Sequence, residues 1–456
     1  MTQGQGGGGA ERAEAYLRRM AETCLRRARN RPRSPSAAAA AREEVWQVRA
    51  VAAALVSAGV LDEAGALPLV QGLEADQGLR SRDGLRPPRP LPTAMRPGAR
   101  AAAPALPSGP VLAVPASAAA AVSQAGKRAA WRPLVLVLAP DRVTLTVAAR
   151  LPGTGGPHAG PFGINDPGRR LAAADDRGNS YRLGFSGGDS FDMTWSCGQF
   201  DLSPLVPPGA RWLQVTLAPG AGPLRVDLGT PPAPTQIDAG PPSPAAPGEH
   251  VLDAIAQATL WRSVATGRRG DRPLPELADV IAALETAGAL EPASPAAARL
   301  AALARRLGIG SPAGLPTPDD LPEPWASVLH ERDRRDGPTA VAPAAAVLPE
   351  IDGARFALAG LHSTAEAATL RVLAWGWAPR QGQLRATLDP FIWQARDNTG
   401  RWHIAGLAGS GGNGHVDLYL TLLPPLHPKA TSLDVTLTGR SHRAHTTVPL
   451  NWQAAQ

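Results

Sequence analysis

The chain has 456 residues, 44% hydrophobic and 19% charged, with a formal net charge of +7. The length suggests two to four domains, and the apolar fraction excludes a solvated, disordered polymer. The basic excess is arginine, since only Lys127 and Lys429 are lysine; beside so much Ala, Gly and Pro it reflects a high-G+C coding bias, and it does not by itself imply a polyanion partner.

In chain order, the N-terminal MTQGQGGGGAERAEAYLRRM lacks the apolar core of a secretory signal, which points to a cytoplasmic protein. Two cysteines, Cys24 and Cys197, rule out a disulfide framework or a Cys-rich metal site. Val45, Val48, Val51, Leu55 and Ala58 form a helical stripe. Gly59 follows where a helix end needs positive φ, and Asp62 stands ready to cap a second helix. That second segment, EAGALPLVQGLEAD, is apolar and acidic where a DNA-reading helix wants Arg, Asn or Gln. The Pro/Arg-rich stretch 86–107 reads as a semi-rigid linker. The most apolar long stretch, 106–125, carries three prolines and makes a poor membrane span.

Strands follow. Residues 132–151 read as two strands around Ala139-Pro140-Asp141-Arg142, with Val143, Leu145 and Val147 alternating with Thr144 and Thr146. The stretch ADDRGNSYRLGF (174–185) poses the sharpest question, because paired carboxylates could hold a metal. Further on, Asp397-Asn398-Thr399-Gly400 repeats its pattern: Asp first, Gly fourth, an aromatic soon after. The second carboxylate, Asp176, has Asn398 opposite it. The expectation is therefore a hairpin turn built on Asp175 and Gly178, and again on Asp397 and Gly400. Gly184-Phe185-Ser186-Gly187-Gly188 fits G-x-S-x-G, but β-formers follow where a nucleophile elbow needs a helix. The other glycine motifs, at Gly4-Gly6-Gly9 and Gly409-Gly411-Gly414, lack the strand–turn–helix setting of a dinucleotide site. After a second Pro-rich linker at 231–248 the helical pattern returns, with Leu277, Val280, Ile281, Leu284 and Ala287 in one stripe and Gly288 after it.

The chain is thus written twice. Residues 48–64 lie over 277–293 without a gap, with eight of seventeen positions identical. Residues 16–27 lie over 251–262, and 204–217 over 424–437. A period this long is a duplicated module and not a solenoid. The expected architecture is α+β: a tandem pair of modules, each a small helical unit followed by an antiparallel immunoglobulin-like β-sandwich. The expected boundaries are helical unit 10–85, linker 86–108, sandwich 109–230, linker 231–248, helical unit 249–335 and sandwich 336–453.

Among candidate binding residues the tryptophans stand out, 11 against six Phe and three Tyr. Trp375 and Trp377, two apart on a predicted strand, should share a face; with Trp393 and Trp402 they are candidates for an aromatic binding surface, or else for core packing. The late histidines His403, His415, His427, His442 and His445 read as surface residues rather than a zinc site. No catalytic set, metal or cofactor is expected. The leading expectation is a non-catalytic cytoplasmic scaffold with a protein partner and no membrane. The rivals are a serine hydrolase using Ser186, or nucleic-acid binding through RRARNRPRS (26–34).

The helical ALVSAGVLDEA and ALETAGALEPA, the turns DDRGNSYRL and DNTGRWHI, and PPGARWLQVTL together resemble a group of uncharacterised proteins of high-G+C actinobacteria. The second copy departs from that pattern with TSLDVTL. The resemblance implies no activity, cofactor or catalytic residue.

Overall fold

A computed structural model describes residues 6–29, 35–76, 111–115, 122–123, 130–150, 172–190, 195–207, 209–216, 223–228, 247–266, 277–308, 321–377, 391–411 and 416–454. The expected linker 86–108 and most of 231–248 lie outside these residues, as do Gly4, His158, Gly414 and His415.

The first half holds helices α1 (Gly6–Arg29), α2 (Pro35–Ser57) and α3 (Glu63–Asp76). Its strands are β1 (Leu112–Pro115), β2 (Val122–Ser123), β3 (Ala130–Ala139), β4 (Arg142–Arg150), β5 (Ala172–Asp175), β6 (Ser180–Ser190), β7 (Trp195–Ser203), β8 (Trp212–Thr216) and β9 (Leu224–Asp227). The second half has α4 (Pro247–Thr266), α5 (Leu277–Ala287), α6 (Pro295–Arg306) and α7 (Trp325–Glu331). Then come β10 (Ala340–Val347), β11 (Arg355–Ser363), β12 (Ala368–Trp375), β13 (Ile392–Asp397), β14 (Trp402–Gly411), β15 (Val416–Leu423), β16 (Ser432–Thr438), β17 (Arg443–Pro449) and β18 (Gln453–Ala454).

The helical stripes do what their spacing dictates. Val45, Val48, Val51, Leu55 and Ala58 are buried, as are Val280, Ile281, Leu284 and Ala287. Both α2 and α5 end alike. Gly59 and Gly288 take φ of 71° and 73°, and the residue after each donates back to Leu55 or Leu284. This is the helix stop that a glycine makes cheap.

The protein is α+β, with two similar antiparallel sheets of nine strands that share an eight-strand order. Sheet one runs β1-β3-β4-β7-β6-β5-β8-β9 with β2 beside β3, and sheet two runs β10-β11-β12-β15-β14-β13-β16-β17 with β18 beside β10, so every strand but β2 and β18 has a counterpart in the same place. Three consecutive strands and a fourth returning beside the first make a Greek key in both (β8-β5-β6-β7 and β16-β13-β14-β15). The registers agree to the residue. Arg182 pairs with Ala172 and Ser203; its counterpart Ile404 pairs with Gln394 and Leu423. Even a bulge recurs, between Phe185 and Gly187 and between Leu407 and Gly409.

Each sheet curls over a core of its own. Leu145, Phe200, Leu213 and Val226 meet in sheet one; Phe356, Leu420, Val435 and Ala444 meet in sheet two. A third core joins the sheets, with Val135, Val137 and Cys197 against Val341, Leu373 and Trp375. The fourth unites the helices of both halves: Leu17, Val51 and Leu55 share it with Leu252, Leu284 and Leu300, and with Ile392, Ile404 and Leu423 of sheet two. The helical segments therefore form one layer, and that layer sits on sheet two. Helix α4 is pinned there by Trp261 Nε1, donating to Thr421 O at 2.7 Å, and by Gln257 Nε2, donating to Trp393 O at 2.8 Å.

Candidate functional site

The two carboxylate turns have the same construction. Asp175 Oδ1 accepts from the backbone N–H of Arg177 (2.9 Å) and Asn179 (2.8 Å), while Oδ2 accepts from the Tyr181 hydroxyl (2.7 Å). Asp397 Oδ1 accepts from the backbone of Thr399 (2.9 Å) and Arg401 (3.1 Å), while Oδ2 accepts from the backbone of His427 (3.1 Å) and lies 3.5 Å from His403 Nε2. Gly178 and Gly400 take φ of 82° and 94°. Burial pushes the Asp175 carboxyl up, but its hydrogen bonds from Tyr181, Asn179 and Arg177 outweigh that and hold it at about 2. Burial likewise opposes ionisation of Asp397, and the bonds from His403, Thr399 and His427 hold it well below the usual carboxylate range. Both oxygens of each carboxylate thus serve to hold the turn and the segments beside it.

Asp176 serves the same turn from outside. Its Oδ1 accepts from the backbone N–H of Arg211 at 2.9 Å, and Asn398 Oδ1 accepts from that of Thr431 at 2.7 Å, the equivalent position. An amide oxygen does this as well as a carboxylate, so Asn stands in the second copy at no cost.

The expected aromatic surface is not one. Trp375, Trp377 and Trp393 are 1%, 6% and 3% exposed. Nor do Trp375 and Trp377 share a face. Gly376, at φ 74°, ends the strand between them, so Trp375 enters the core between the sheets and Trp377 the core inside sheet two. There Trp377 meets Phe391 edge-on at 5.4 Å, and Phe356 meets Trp393 at 5.3 Å. Trp402 is half-buried against the helical layer, with the Arg396 guanidinium 5.3 Å from its ring. Ser186 is the extra residue of the bulge in the middle of a sheet, not an elbow before a helix, and its Oγ donates to Gln199 O at 3.3 Å. His403, read as a surface residue, is fully buried, with Nδ1 2.8 Å from Pro424 O. It fills the place that Tyr181 fills in the first copy. Among the described residues no group of three His, Cys, Asp or Glu side chains converges as a metal site would require.

Among the described residues a concavity lies where the helical layer meets sheet two. It encloses about 590 Å³ between Asp253 of α4, Arg299 of α6, the Pro322–Trp325 segment, Ile392 and Gln394 of β13, and the Thr438–Arg443 hairpin. One wall is neutralised. Arg299 grips Asp253 with Nη2 2.9 Å from both carboxylate oxygens, and burial still pushes the Asp253 carboxyl up against the pull of Arg299 and His250. The hairpin tip is clamped from below, since Asp352, held at φ 49°, accepts the backbone N–H of Arg440 and Ser441. The tip is Arg440-Ser441-His442-Arg443, all exposed.

Comparison with known proteins comes back nearly empty. No family model matches the chain, and no curated protein matches it. Among solved structures, the crystal structure of the conserved domain protein from Bacillus anthracis matches over 71% of this chain and 77% of that chain, at 7% identity and a TM-score of 0.16. At that score the likeness carries nothing about fold or function.

A second polar cluster is buried where the sheets meet. Arg371 Nη2 donates to Cys197 O of sheet one at 2.9 Å, and its guanidinium lies 4.7 Å from the Tyr419 ring. The Gln199 amide, with its nitrogen facing sheet two, donates to Asp417 Oδ1 at 2.7 Å and Oδ2 at 2.6 Å. Burial pushes the Asp417 carboxyl up to about 7, against the pull of Arg371 and Arg142. Sequence reading missed both groups. The cleft draws on five separated segments, and its one local signal was the basic run R-S-H-R after a predicted strand.

Proposed function

We propose that the chain is a non-catalytic interaction protein that docks a protein partner in the cleft between the helical layer and sheet two. The cleft itself carries this reading: about 590 Å³ between the Pro322–Trp325 segment and the Thr438–Arg443 hairpin, floored by the buried Trp325 and Ile392, with polar and charged groups around its mouth. Concave sites with an apolar wall and a few oriented polar groups are where proteins hold ligands. The finer picture belongs to the same proposal: a cytoplasmic scaffold whose halves are each a helical unit followed by an immunoglobulin-like sandwich. The Greek-key order and the curl of each sheet over one core support the sandwich. Among the described residues no helix is long and apolar enough to cross a membrane.

The test is partner capture from native cytoplasm with the full chain and with Thr438→Trp, which plugs the cleft from an edge position. The expected result is a partner bound by the parent and lost from the variant at unchanged melting temperature. A partner set indifferent to the plug would sink the reading. Stoichiometric labelling of Ser186 by a fluorophosphonate probe would instead favour a hydrolase.

A further inference from the structure

We infer that Asp417, Gln199 and Arg371 form a proton-controlled latch between the two sheets, which holds them together while Asp417 is neutral and loosens as it ionises.

The cluster sits at the seam. Asp417 pairs with Leu373 across β15 and β12, beside the core in which Val135, Val137 and Cys197 meet Leu373 and Trp375. It is 3% exposed. Sheet one supplies its partner, the Gln199 amide, 2.7 and 2.6 Å from the two carboxyl oxygens. The buried Arg371 crosses in the other direction, to the carbonyl of Cys197. Both contacts run from one sheet to the other, so parting the sheets breaks them together and lets water reach the carboxyl.

The charges around Asp417 fix which state the closed seam prefers. Arg371 on β12 gives an N–H to Cys197 O and lies against the Tyr419 ring. Arg142 on β4 is bound through Nε to Asp201 of β7 at 2.7 Å, so its charge is largely answered there. Each cation is thus shared, and burying a carboxylate costs more than a shared cation returns. The folded carboxyl accordingly titrates at about 7, with Arg371 and Arg142 pulling against burial. Gln199 serves both states: its N–H groups donate to a carboxylate, and after a half-turn its oxygen accepts the O–H of the acid.

Once the seam is open, Asp417 meets water and titrates at about 3.9. Between about pH 4 and pH 7 the closed form therefore holds a proton that the open form has lost. Opening is favoured as pH rises through that window, by up to about tenfold per pH unit, and changes no further above it. His362 of β11 lies on the same face, paired with Thr369 two residues from Arg371, and is also buried. A switch run by His362 would have the opposite sign, because burial favours the neutral imidazole and its protonation would open the seam as pH falls.

The chain carries its own reporters. Cys197 is buried in the seam and Cys24 in the helical core. Alkylation of both thiols in the full native chain is followed by peptide mass spectrometry from pH 5 to pH 8. Dividing each rate by that of the same chain unfolded in guanidinium at the same pH removes the titration of the thiol itself. Cys197 should label faster than Cys24, and its normalised rate should climb about a hundredfold from pH 5 to pH 7 and then level off. Asp417→Asn, neutral throughout, should abolish the climb. Both cysteines labelling at one rate at every pH would mean that the seam opens only by global unfolding, and the latch fails. It fails too if the rate falls as pH rises, which assigns the switch to His362, or if the climb persists in Asp417→Asn. The contrast between the two cysteines and the sign of the slope are read in the parent chain, so they decide the matter even where Asp417→Asn folds poorly.

Discussion

Position for position the two sheets match, yet helix α4 lies across one of them and no described helix lies across the other. The difference is confined to outward residues. Sheet two presents Ile404, Leu423 and Trp402 to the helical layer, and Trp261 packs flat over Gly406. The same sites in sheet one carry Arg182, Ser203, Ser180 and Gly184, all exposed. Burying an Ile or Leu side chain contributes roughly 1.5–3 kcal/mol, whereas burying an unpaired Arg costs several. Duplication thus preserved the ladder and the inner core while the outer face set the assembly. Having no apolar seat on its own sheet, α1 packs on α5, where Arg12 Nε donates to Thr286 O at 2.9 Å.

The strongest way to break this comparison is to exchange the decisive residue. Ile404→Arg puts the first copy's residue under α4 and should cost about 4 kcal/mol, since the charge would be buried without a partner. The reverse change, Arg182→Ile, should alter stability by no more than about 0.5 kcal/mol. Urea unfolding of the two variants measures both. Equal losses would show that the outer face of sheet one is covered too.

The sheet interface holds the next effect. Asp417 occupies the place of Cys197, and an unfolded Asp titrates near 3.9. Because its folded value is pushed up to about 7, the native state binds the extra proton between about pH 4 and pH 7. Stability from this group therefore falls as pH rises through that window, by about 4 kcal/mol in all, and stays flat above it. Asp175 acts with the opposite sign. Held at about 2, it contributes stability that is present above about pH 4 and lost as pH falls towards 2. Asp417→Asn should remove the slope between pH 4 and 7 and leave the acid limb. A slope that persists in the variant would place it on another group.

Smaller again is a matched pair of glycines. A Cβ on Gly406 would stand 2.3 Å from the Trp261 ring, while one on Gly184 meets nothing within 4 Å. Gly406→Ala should cost about 2 kcal/mol through the displaced tryptophan, and Gly184→Ala should be neutral or slightly stabilising. Melting curves that shift alike would mean that α4 does not rest on sheet two as tightly as the packing implies.

Much of this architecture could be read from the chain before any coordinates. The repeat, the glycine stops at Gly59 and Gly288, and the turns at Asp175 and Asp397 are local patterns, fixed by spacing along the backbone. What escaped depends on which surfaces meet. Nothing in LAWGW tells that Gly376 turns the chain and sends Trp375 and Trp377 into different cores. The merging of both helical segments into one layer depends on Ile404 and Leu423 being apolar where Arg182 and Ser203 are not. That contrast becomes visible only once the registers of the two sheets are known. The cleft was hidden for the same reason, because Asp253, Arg299 and Arg443 are far apart in sequence and each looks like an ordinary surface charge.

The smallest effects test the carboxylate turn itself. Nothing crowds a Cβ at Gly178, so Gly178→Ala pays only for positive φ, roughly 1 kcal/mol, and Gly400→Ala should match it. Asp176→Asn should change stability by less than about 0.5 kcal/mol, because the Asn oxygen can take the Arg211 N–H as Asn398 takes that of Thr431. Asp176→Ala removes the acceptor and should cost more than Asp176→Asn does, by about 1 kcal/mol for the lost bond. A metal-binding turn requires a different ranking: the amide variant would be as damaging as alanine, since both remove the charge, and calcium would raise the parent's melting temperature. Melts of the parent and the two Asp176 variants with and without calcium therefore separate a turn that needs an oxygen at Asp176 from one that needs an anion.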